Sequence, residues 1–103
     1  MLLNLIRLVF NMIIDKITVI TAKQIPTKDT SFIQDMYTAI TVRELYAVVK
    51  KKALAIAKDL ELQTQGRARV SVEMVEGAGG LPCADIWSYG SITNQVFCTD
   101  EEV

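Results

Sequence analysis

Residues 41–62 carry the pattern that most narrows what this chain can become. Val42, Leu45, Tyr46, Val49, Ala53, Ile56, Ala57 and Leu60 recur at steps of three and four, the spacing that gathers side chains on one face of an α-helix. Thr41 and Glu44 have capping-box spacing, in which hydroxyl and carboxylate each satisfy an unpaired backbone N–H at the helix start. No Gly or Pro interrupts the stretch. At ~1.5 Å per residue such a helix is roughly 33 Å long, enough to cover a small sheet. The rest of the chain should supply that sheet.

The remaining segments read mostly as strands. The stretch 16–25 is rich in β-branched residues and stops at Pro26, which cannot donate to a ladder. Residues 31–40 fit either a short helix or a strand. A strand is favoured, because an N-cap at Thr41 needs a non-helical residue before the helix. After a polar exit ending at Gly66, near the expected C′ position, residues 67–76 alternate. Ala68, Val70, Val72 and Met74 take one side; Arg67, Arg69, Ser71 and Glu73 take the other, as in an antiparallel sheet with one packed face. Beyond the Gly77–Pro82 loop, residues 85–89 and 94–99 form two short strands, or one strand kinked at Gly90. The predicted fold class is α+β: a two-layer sandwich, a mostly antiparallel β-β-α-β-β sheet under one long helix. An acidic tail, 100–103, should fray.

The first fourteen residues are apolar except for Asn4, Arg7 and Asn11. The run is too short for a membrane span and holds an arginine, and it lacks the basic start and cleavage site of a secretory signal. A helix packed on the domain or on a second subunit is expected, with Leu2, Leu5, Ile6 and Val9 at a homodimer interface. Met12 offers an alternative start, in which case the leader is an upstream extension.

Composition removes several chemistries. The chain has 103 residues, room for one domain and one core. It has no His, so Ser-His-Asp and Cys-His nucleophile pairs and His-containing metal sites are excluded. Two cysteines, Cys83 and Cys98, cannot build a Cys₄ site. They are expected as reduced, buried thiols of a cytoplasmic protein, although one bridge stays open. A net charge of −1 supplies no general field for nucleic acid. No cofactor or metal is predicted.

What remains are surfaces. The Gly77–Pro82 loop precedes a strand-like stretch and has no following Lys, unlike a phosphate-binding loop. It reads as a strand-to-strand connection. Lys50, Lys51 and Lys52 read as a solvated helix back. Arg67 and Arg69 are better placed to meet an acidic partner. Trp87 and Tyr89 should share a strand face, with core packing for Trp87 weighed against a binding hot spot. Among Asp29, Asp35, Glu73, Glu76 and Asp85, spacing singles out no acid/base pair.

The function expected is therefore a non-catalytic binding protein that contacts a macromolecule through Leu2, Leu5, Ile6, Val9, Arg67, Arg69, Trp87 and Tyr89. Small, mildly acidic proteins without catalytic signatures are also common as accessory products of mobile elements. The alternative is a small-molecule binder or enzyme with a pocket between subunits near the Gly77–Pro82 loop.

Overall fold

The structure, a computed structural model, describes residues 12–23 and 32–100. Strand β1 spans Ile13–Lys23 and β2 Phe32–Thr41; helix α1 follows at Val42–Gln63; then come β3 (Val70–Glu76), β4 (Pro82–Ser88) and β5 (Ser91–Thr99). All strand pairs are antiparallel, in the order β2-β1-β5-β4-β3. The α+β sandwich is thus as expected, but with three strands after the helix where the β-β-α-β-β formula has two. Gly90 turns the chain instead of kinking it. Residues 1–11 of the leader, with Leu2, Leu5, Ile6 and Val9, lie outside the described residues, as do Pro26 and Asp29. Its last two residues, Ile13 and Ile14, are not helical but begin β1, paired with Thr41 and Ile40 of β2.

Helix α1 starts where its cap dictates. The Thr41 hydroxyl accepts from the Glu44 N–H at 3.1 Å, and a Glu44 carboxylate oxygen accepts from the Thr41 N–H at 3.2 Å. At the other end a Schellman arrangement closes the helix. The Gly66 N–H donates to the Glu61 carbonyl (2.9 Å) and the Gln65 N–H to that of Leu62 (3.2 Å). The C′ position belongs to Gln65, with φ +55°, and Gly66 follows it at +75°. A side chain at positive φ crowds its own carbonyl. Gln65→Gly should therefore raise stability by about 0.5–1 kcal/mol. Thr41→Ala, by contrast, should lower it by about 1 kcal/mol. Urea unfolding of both variants checks the pair of signs.

The helix spans from one edge strand to the other and packs chiefly over β4 and β3. Leu45, Val49 and Ala53 are fully buried against Ile86, Ala84 and Val96, with Ile17, Val19, Ile40 and Cys98 completing the core. Ala68 is buried, and Val70, Val72 and Met74 pack against this cluster, as their alternation predicts. The stripe is narrower than expected: Tyr46 is an exposed residue. Near the start of β1 both strands of its hairpin change face. Ala39 takes φ +51°, and Ile14 and Ile40 pair and both turn toward the core.

Two irregularities shape the β4–β5 hairpin. Thr93 is an extra residue between the Ile86–Asn94 and Trp87–Ile92 pairs, a bulge of the kind that bends a strand. Tyr89 and Gly90, at φ +53° and +77°, form a two-residue loop with the positive φ pair that a type I′ turn needs. Tyr89 therefore sits on the hairpin tip, not on the strand face beside Trp87. The reason is local: two positive φ values end the alternation one residue earlier than the sequence suggests.

Candidate functional site

Among the described residues, no helix packs on the sheet face opposite α1. Alternation assigns to it Thr18 and Ile20 of β1, Met36 of β2, Glu73 and Val75 of β3, Cys83, Asp85 and Trp87 of β4, and Gln95 and Phe97 of β5. Thr18, Ile20 and Cys83 are its buried floor, whereas Trp87 and Phe97 stay partly exposed and Met36 is exposed. Ile86 and Ser88, the other members of the β4 alternation, are the pair that faces the helix, both buried. Trp87 thus lies outside the helix-side core, and its indole N–H is buried without an acceptor.

Glu73 and Asp85 face each other across β3 and β4 on this side. Gln95 donates to an Asp85 carboxylate oxygen at 2.8 Å, which fixes that side chain and leaves Glu73 exposed. Opposed carboxylates repel and hold negative potential in one spot. The sequence spacing hid this pair, yet counting outward from the Glu76–Pro82 pair that closes the Gly77–Leu81 loop reaches it three steps on. No group of three or more potential metal-ligating side chains occurs among the described residues.

The predicted basic residues sit at one end of the sheet. Arg67 and Arg69 precede β3, both exposed, so the strand begins at Val70, later than expected. Arg69 comes one residue before the Val70–Ser88 pair and Tyr89 one residue after it. Tyr89 is 73% exposed. The structure therefore brings Arg69 and Tyr89 to the same end, with Trp87 inside it on the open face. Lys52 is not on a solvated helix back as expected but on the flank of α1 toward β2, where Asp35 binds it, a hydrogen bond that raises its pKa; Lys50 and Lys51 are exposed.

The cysteines are free and buried. Cys98 faces the helix and Cys83 the open side, so the sheet itself stands between them. Burial raises the pKa of both, and that of Cys98 reaches about 12, which makes it a poor nucleophile. The Gly77–Pro82 segment is a short 3-10 turn joining β3 to β4, a strand-to-strand connection as expected. The hollow beside it, of about 410 Å³, is lined by apolar side chains with Lys16 and Asp100 as its ionisable groups. A second hollow, of about 310 Å³, opens where α1 leaves the β1–β2 side uncovered. Thr21, Lys23, Ile33, Ile56, Asp59, Leu60, Gln63 and Asn94 line it, and the buried Asn94 side-chain oxygen lacks a donor.

Compared with known proteins, the chain matches no family model, no curated protein and no solved structure. No helix among the described residues is long and apolar enough to cross a membrane.

Proposed function

We propose that the chain is a non-catalytic binding protein that engages a protein partner through the sheet face opposite α1. The observation carrying this reading is the partly exposed Trp87 and Phe97, which flank the Glu73–Asp85 pair on this face. Aromatic side chains that are partly exposed supply contact area at low entropic cost. The adjacent carboxylates select a Lys or Arg of the partner, whose cation can also rest on the indole. Phosphate backbones meet repulsion there, so nucleic acid is disfavoured. Arg67, Arg69 and Tyr89 form the rim at the hairpin end.

The test compares capture of one and the same protein from source-cell lysate by wild type, Glu73→Lys, Tyr89→Ala and Lys51→Glu. All three positions are exposed, so folding is retained. Recovery should fall at least tenfold for Glu73→Lys and severalfold for Tyr89→Ala, and stay unchanged for Lys51→Glu. Equal recovery across the series rejects the face.

The orphaned Asn94 oxygen favours a second reading, a small-molecule site. It moves that site away from the Gly77–Pro82 loop to the hollow between α1 and β1. An unpaired buried acceptor calls for a donor, and Ile33, Ile56 and Leu60 suit an aliphatic body. Thermal shift with a panel of aliphatic amines should then show stabilisation that Asn94→Leu removes.

A further inference from the structure

We propose that the outer edge of β2 pairs antiparallel with the same edge of a second copy, joining two sheets across a twofold axis. Among the described residues β2 ends the sheet, and nine of its ten residues, all but Ala39, pair on the β1 side alone. An edge of that kind offers a row of free N–H and C=O groups that only another extended backbone satisfies fully. Sheets usually blunt such an edge with Lys, Pro or other charges. Strand β2 has neither Lys, Arg nor Pro. Its single charge, Asp35, is already bound by Lys52. Ile33 and Met36 are 67% and 57% exposed.

The opposite edge is built differently. Strand β3 has seven residues, includes Glu73 and Glu76, and follows exposed Arg67 and Arg69. Pairing β2 with another copy's β3 is head-to-tail and builds rings or filaments, whereas β2 with β2 closes as a dimer. The charges on β3 oppose the first arrangement. Centring the second on Met36 sets the two exposed Met36 side chains against each other and places Asp35 opposite Tyr37 of the second copy. No like charges then face each other. The left-handed Ala39 bends the strand near its end and bounds the flat pairing stretch. This interface does not rest on the open-face reading, although Met36 borders both surfaces and Ile33 lies on the helix side, and it is proposed in place of the leader as the contact between subunits.

Light scattering on the full chain at millimolar concentration should give twice the 11.5 kDa chain mass. Met36→Lys and Ile33→Lys alter exposed side chains, and each should weaken the dimer at least tenfold. Glu73→Lys, on the far edge, should leave it intact. Hydrogen exchange on wild type adds an arm that needs no variant: β2 amides should be protected when concentrated and lose protection on dilution. A wild-type mass of 11.5 kDa, a dimer indifferent to Met36→Lys, or a dimer abolished only by deleting residues 1–11 would overturn the proposal.

Discussion

Replacing Leu45 by alanine should cost this protein about 3 kcal/mol of folding stability. Leu45 has no exposed surface and lies where α1 meets the sheet, among Ile86, Val96 and Val49. Removing its branched end loses transfer free energy and leaves a hole that a rigid sheet cannot collapse to fill, and such changes cost 2–5 kcal/mol. Domains of this size hold roughly 5–15 kcal/mol in all, so one substitution takes a large share. Melting should fall by about 4–8 °C per kcal/mol. Leu54→Ala, on the same helix but half exposed, should change stability by less than about 0.5 kcal/mol. Denaturant unfolding of both decides the matter. Similar losses would mean that the buried face of α1 is misassigned.

The helix was legible because its signals are local. A capping box and a 3.6-residue period need no knowledge of the rest of the chain, and the cap at Thr41 also favours a strand over a helix for 31–40, which the structure bears out at Phe32–Thr41. The alternation from Ala68 to Met74 is equally local. Tyr46 shows where that reasoning stops: periodicity marks an arc of the helix, but only the width of the sheet below decides which flank is covered. The hairpin tip was obscured because Tyr89 occupies a positive-φ position that usually goes to Asn, Asp or Gly. Strand order and the Glu73–Asp85 pair depend on register between segments, which one strand read alone does not contain. For the same reason the two cysteines left a bridge open until their opposite faces were seen.

The second large effect is alkaline destabilisation through Cys98. Burial, with a smaller contribution from Cys83, raises this thiol from the ordinary 9.0 to about 12. Below pH 9 folded and unfolded chains both keep the proton, and stability is at its full value. Above it the unfolded chain releases the proton while the folded chain holds it. Stability therefore declines by about 1.4 kcal/mol per pH unit until the folded thiol ionises near pH 12. Cys83 is raised in the same direction, by burial and the neighbouring Asp85, and adds to the slope. Lys52, raised above 10.5 by its bond to Asp35, contributes only at the upper end, where its proton leaves. Unfolding free energies of wild type and Cys98→Ala, measured across this range, should converge as pH rises. Parallel curves would show that the thiol stays neutral in both states, or ionises in both.

Thr18 pairs with Thr99 in the middle of the sheet, and this has a bearing on synthesis. The first and last described strands are neighbours there, with β2 on one side, β4 and β3 on the other and α1 across one face. A ribosome must release the segment through β5 before β1 finds its second neighbour, so the interior ladder closes against a long loop. Until then β1 has an unclaimed side, and nascent chains stalled before residue 91 should be more prone to clump than the finished protein.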